Sequence, residues 1–190
     1  MAKVIGEEKL KMAYHETGHA LMALIFRQNI QKVSLREIDS PTGGDKFLAY
    51  MKLESSDPTI RYTGEKAIQK IMISLGGYAS EILFYDGVAG ISGDGNSDLM
   101  IAAKTTEDML QVAEFNNWVS GLPVPEPSPL DMVENPSVRA YIHFKIGDCV
   151  QALTPLMPVL QKVAEELYKR EELAGEEVAD FFNSFVQSRS

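Results

Sequence analysis

"AYHETGHAL", residues 13–21, holds two of the chain's three histidines, four residues apart, with a glutamate directly after the first. Leu10, Tyr14, Leu21, Leu24 and Ile25 recur around it at helical spacing, and Glu7 and Glu8 suit the positive end of a helix dipole. A helix over residues 7–26 follows. On a helix, residues four apart share a face, with Cβ atoms about 5 to 6 Å apart. His15 and His19 can then reach one metal ion. Glu16 points about 100° further round the helix. It can stand beside the metal and not on it, where a general base must be to take a proton from attacking water. A glycine inside a helix costs about 1 kcal/mol relative to alanine, so Gly18 either has a packing reason, such as the close approach of another element near the metal, or is tolerated drift.

The rest of the sequence sets the context for this helix. The chain has 190 residues, 45% of them apolar, enough for one packed domain over residues 1–190. The formal net charge is −9 and no Lys/Arg cluster offsets it, so nucleic acid and anionic lipid surfaces are not expected partners. A single cysteine, Cys149, excludes an intrachain disulfide and fits a reducing compartment. The N-terminal "MAKVIGEEKLKM" is charged, and the longest apolar run, Ala20 to Phe26, is too short to span a bilayer. A soluble cytoplasmic protein with no membrane partner is the expectation.

The fold class is mainly α with a small β element. "VSLREI" (33–38) and "FLAYMKL" (47–53) read as strands, with "DSPTGGDK" between them supplying hairpin turn chemistry. Residues 58–86 return to helical spacing, and Gly76-Gly77 inside that run marks a weak point or a close contact. The glycine-rich "DGVAGISGDGN" leads to a helix from Ser97 to Phe115, with Asn96 as its N-cap. The proline-rich loop, residues 120–136, cannot be helical. Helices over 137–169, bent near Pro155 and Pro158, and over 176–187 complete the chain.

A catalytic zinc site needs a third protein ligand and an open position. His143, Glu81 and Asp98 are the candidates. Asp98 has a physical advantage, since a carboxylate in the first turn of a helix is kept ionised by the dipole and a metal needs it ionised. Spacing alone leaves the three open. Cys149 paired with His143 as a nucleophile is a weak alternative, because a lone helical cysteine is usually a small buried hydrophobe.

Four segments together are familiar. "AYHETGHAL", "LGGYASEILFYDG", "GNSDL" and "ELYKREELAGEEV" occur in an order and form that resembles the zinc peptidase domain of the FtsH family of ATP-dependent proteases, from about Lys9 to Val178. The resemblance implies a helical, zincin-like peptidase fold with a small hairpin or sheet. It implies Zn²⁺ bound by His15, His19 and Asp98, with Glu16 as catalytic base and Glu81 orienting a histidine. It implies a polypeptide substrate laid along an edge strand near Phe47, Leu48, Ala49 and Tyr50. The chain contains no G-x-x-x-x-G-K-[ST] loop, since "TGGDK" lacks the spacing, so a stand-alone form of the domain is expected. A separate ATPase or unfoldase and a homo-oligomer are the candidate partners. The expected function is a zinc-dependent endopeptidase acting on unfolded or extended chains. A peptidase-like binding or regulatory module is the alternative.

Overall fold

A computed structural model describes residues 2–35, 37–39, 45–47, 49–54, 64–85, 97–123, 130 and 133–189. The first helix, α1 (Ala2–Ile25), runs through the middle of the molecule. Its residues 16–23 are buried without a break, so its apolar residues are not confined to one stripe. Leu21 and Met22 are fully buried, each worth about 1.5 to 3 kcal/mol of transfer free energy.

After α1 come four short strands: β1 (Ile30–Ser34), β2 (Glu37–Asp39), β3 (Asp45–Phe47) and β4 (Tyr50–Leu53). The expected hairpin is present in two parts, β1 against β4 and β2 against β3. The ladder breaks at Leu35, whose buried side chain joins the core and whose amide donates to the Glu171 carbonyl at 2.8 Å. That bond leads into a strand the sequence did not suggest, β5 (Glu172–Ala174), which pairs antiparallel with β1. The three-stranded sheet has the order β4-β1-β5, which leaves β4 at an edge among the described residues.

The remaining helices are α2 (Gly64–Phe84), α3 (Asp98–Met109), α4 (Ala113–Val119), α5 (Pro136–Leu153), α6 (Met157–Arg170) and α7 (Gly175–Gln187). The helix expected over 97–115 is therefore two, because Val112 adopts extended backbone between α3 and α4. Ser97, and not Asn96, caps α3, its hydroxyl accepting from the Met100 amide at 3.4 Å; Asn96 lies outside the described residues. The bend expected near Pro155 and Pro158 is a 3₁₀ turn, Thr154–Leu156, between α5 and α6. The glycine-rich loop, and residues 124–129, 131 and 132 of the proline-rich loop, lie outside the described residues. No described helix is long and apolar enough to cross a membrane.

Two helix backbones touch at the centre of this arrangement. A Cβ on Gly18 would stand 2.2 Å from the Gly76 carbonyl oxygen, and one on Gly76 would stand 2.6 Å from the Gly18 carbonyl oxygen. Beside this contact the Ser80 hydroxyl donates to the Tyr14 carbonyl at 2.7 Å. Tyr14 meets Ser80 while Gly18 meets Gly76, so α1 and α2 cross antiparallel.

The clash decides the sign of substitution here. Gly18→Ala is expected to destabilise the fold by about 3 kcal/mol, because the obstacle is backbone and the helices must part. Gly147→Ala in α5, where an added Cβ meets nothing within 4 Å, is expected to stabilise by about 0.5 to 1 kcal/mol. Urea unfolding of both variants checks the pair; a Gly18→Ala protein as stable as the parent would contradict the backbone contact.

Candidate metal centre

His15 and His19 sit one turn apart on α1 and turn their rings toward α2 and the start of α3. His15 Nε2 and His19 Nε2 are 3.0 Å apart, and each is 3.1 Å from Asp98 Oδ2. Three donor atoms thus form a nearly equilateral triangle. Tetrahedral ligands about 2.0 to 2.1 Å from zinc lie roughly 3.4 Å from one another, so a small outward adjustment admits the ion. Asp98 enters the triangle because Ser97 caps α3 and places it in the first turn.

The other ring nitrogens are held from behind. Glu81 Oε1 is 2.5 Å from His15 Nδ1, and the Ile73 carbonyl is 2.7 Å from His19 Nδ1. Each Nδ1–H donates to its oxygen, which keeps that proton on Nδ1, so the proton a metal ion would displace is the one on Nε2, facing the triangle. Gly77 makes room for this, since a Cβ there would lie 2.5 Å from the His15 ring. Ile73, Gly77 and Glu81 are spaced by four and form one stripe of α2. Neither the Ile73 carbonyl nor the Gly77 cradle was anticipated; the Gly76-Gly77 pair was the one sequence signal pointing there.

Glu16 is 6% exposed, and a carboxylate oxygen of it lies within 4.8 Å of ligand atoms of both histidines. Asp98 is closer to both rings and more open, with 39% of its side chain exposed. The geometry separates the two acids: Asp98 completes the triangle and Glu16 stands beside it. His143 lies exposed on α5 and is not in this cluster. Cys149 is buried, its thiol within 3.4 Å of the Met72 carbonyl and its pKa pushed up to about 12 by burial, an inert environment for a nucleophile. Phe47 lies in β3, Leu48 falls outside the described residues, Ala49 precedes β4 and Tyr50 opens it.

The electrostatics favour positive charge inside the cluster. Burial alone would lower the His15 pKa, but hydrogen bonds to Asp98 and Glu81 and the charge of Glu16 outweigh it and hold it at about 10. His19 is raised as well: its burial is opposed by the hydrogen bond and charge of Asp98. Burial opposes ionisation of Asp98 too, yet the two imidazoles hold its carboxyl well below the usual range. Burial raises the Glu16 pKa, against the pull of His19 and His15. Three carboxylates thus surround two imidazoles, and the protons they retain occupy the place a metal would take.

The sequence matches Peptidase family M41 over residues 3–123. The chain belongs to peptidase family M41. It is 24% identical over 203 aligned positions to the ATP-dependent zinc metalloprotease FTSH 1, chloroplastic, of Oryza sativa subsp. japonica, covering 94% of this chain and 28% of that protein. It is 25% identical over 185 positions to the ATP-dependent zinc metalloprotease FtsH of Opitutus terrae, covering 90% and 28%. It is 29% identical over 153 positions to the ATP-dependent zinc metalloprotease YME1 homolog of Schizosaccharomyces pombe, covering 80% and 20%. The chain spans between a fifth and a third of the length of these curated relatives. The family match includes α1, α2, α3 and the sheet strands β1 to β4, and with them every residue of the metal cluster. The chain is a metalloprotease-like domain of mainly α fold.

Two measurements test the cluster. In metal-free protein the raised His15 pKa means that its protonation stabilises the fold fully below pH 6.5, and that this contribution is lost as pH rises toward about 10. Stability of the metal-free protein is expected to fall across that window, and to fall less with metal bound, because the ion replaces the protons. For metal affinity, Asp98→Ala is expected to lose more than Glu81→Gln, and Glu81→Gln about 10- to 100-fold. Competition with a chromogenic chelator ranks the two, and equal affinities for Asp98→Ala and the parent would remove Asp98 from the ligand set.

Proposed function

We propose that this domain is a zinc-dependent endopeptidase acting on extended or unfolded polypeptides. The observation that carries the reading is the convergence of His15 Nε2, His19 Nε2 and Asp98 Oδ2 with a separate buried carboxylate, Glu16, alongside. Membership of family M41 and relatives named as zinc metalloproteases support zinc as the ion. His15, His19 and Asp98 would hold it. Glu81 and the Ile73 carbonyl keep the two imidazoles aimed. Zinc in such a site supplies Lewis acidity, polarising a scissile carbonyl and making water a better acid.

The chain's own residues supply the rest. Glu16 accepts a proton from the attacking water and returns it to the departing amine nitrogen. Its burial raises its proton affinity, which suits a base working near neutral pH. Strand β4, from Tyr50 onward, offers an edge for an extended substrate, and the expected register would continue toward Phe47. The relatives are named ATP-dependent, which motivates an ATPase, in the same polypeptide or separate, as the partner that delivers unfolded chain. A homo-oligomeric assembly in the cytoplasm remains part of this proposal; the lone buried thiol accords with a reducing compartment.

Cleavage of a quenched fluorescent peptide tests the reading. The zinc-loaded domain is expected to cleave it, chelator to abolish cleavage, and added zinc to restore it. Glu16→Gln is expected to lower kcat by about 10²- to 10⁴-fold while retaining zinc. Tight peptide binding by the zinc-loaded protein with no turnover would instead identify a binding module.

A further inference from the structure

The hydrogen bonds around β1 settle which way the β4 backbone faces. The Leu35 amide donates to Glu171, so Leu35, and Val33 two residues earlier, direct their polar groups toward β5. Ser34 and Lys32, out of phase with them, direct theirs toward β4. On β4 the Glu54 amide donates to the Asn29 carbonyl at 2.9 Å, so Glu54, Lys52 and Tyr50 face β1. The register agrees, since Ser34 is opposite Tyr50 and Lys32 opposite Lys52. Met51 and Leu53 therefore turn their N–H and C=O groups to the side of β4 that carries no strand among the described residues. There the Met51 amide finds an acceptor on a different element, the Glu16 carboxylate of α1.

We infer that the Met51 backbone N–H is the positioning donor for Glu16, so that the edge strand beside the site also aims the base. Two observations meet in this. Glu16 is almost wholly buried, and a buried carboxylate needs donors to hold one orientation. Met51 occupies an edge position at which strand geometry supplies an amide with no partner in β1. The inference rests on the peptidase reading for its catalytic meaning, but the contact itself does not depend on it. One consequence concerns substrate register. An extended chain adding to β4 finds the Met51 N–H already committed, and its ladder uses the Met51 carbonyl and the Leu53 groups. The peptide is thereby placed with respect to the base through a single shared residue.

Backbone hydrogen exchange on the zinc-loaded protein tests the contact directly. In Glu16→Ala the Met51 amide is expected to exchange about tenfold faster than in the parent, while Leu53 is unchanged. Equal Met51 exchange in the two proteins overturns the inference. Kinetics test the role. Proline is tolerated at an edge-strand position whose N–H faces away from the sheet, so Met51→Pro and Leu53→Pro each delete one outward donor. Met51→Pro is expected to lower kcat by about 100-fold with KM little changed and zinc retained, whereas Leu53→Pro acts mainly on KM. A Met51→Pro enzyme with the parent's kcat overturns it. If the parent cleaves no peptide, the peptidase reading falls and the exchange experiment still decides this one.

Discussion

The backbone contact between Gly18 and Gly76 is the constraint on which the rest of the structure depends. It sets the separation of α1 and α2 at a value that no residue with a Cβ permits at either position. At that separation two stripes meet along an antiparallel crossing. Tyr14, Gly18 and Met22 face Gly76 and Ser80, and next to them His15 and His19 face Ile73, Gly77 and Glu81. A wider spacing would carry the Ile73 carbonyl and the Glu81 carboxylate out of reach of the Nδ1 atoms. The imidazoles would then lose both their tautomer and their aim. The glycines carry no functional group themselves, yet they bring the two histidines to the α2 groups that hold them.

The second constraint is charge. Placing Glu16, His19 and Glu81 almost out of contact with water is costly unless each is answered by a partner. Here the answers are mutual: carboxylates keep the histidines protonated, and the histidines keep Asp98 ionised. That balance holds without metal only by retaining protons. A divalent cation meets the same demand and leaves Glu16 as the buried carboxylate not engaged by the triangle. On the proposed reading, the arrangement that would hold a cation is also the one that leaves Glu16 apart from it for proton transfer.

Much of this was legible in the chain. The helical spacing around "HETGH" placed both histidines on one face, and the same geometry separated Glu16 from them. The mid-helix Gly18 and the Gly76-Gly77 pair pointed to a close packing contact, because glycine inside a helix needs such a reason. Asp98 was favoured as a helix-start carboxylate, and the family resemblance selected it. What stayed hidden depends on contacts between segments far apart in sequence. The three residues of β5 carry no pattern of their own and are defined by pairing with β1, far away in sequence, which the Leu35–Glu171 bond continues. The α3–α4 break comes from the backbone at Val112 within an otherwise helical composition. The Ile73 carbonyl and the Met51 amide are main-chain groups, which any residue type supplies, so no sequence pattern marks them.

The central claim is that α1 and the first turn of α3 together hold one zinc ion, with Glu16 beside it and off it. A crystal structure of the zinc-loaded domain, with anomalous diffraction measured at the zinc edge, tests this most directly. The account predicts one peak about 2.0 to 2.2 Å from His15 Nε2, His19 Nε2 and an Asp98 carboxylate oxygen, with Glu16 beyond bonding distance. A peak ligated by Glu16 or Glu81 in place of Asp98, or no peak between the two histidines, would contradict it.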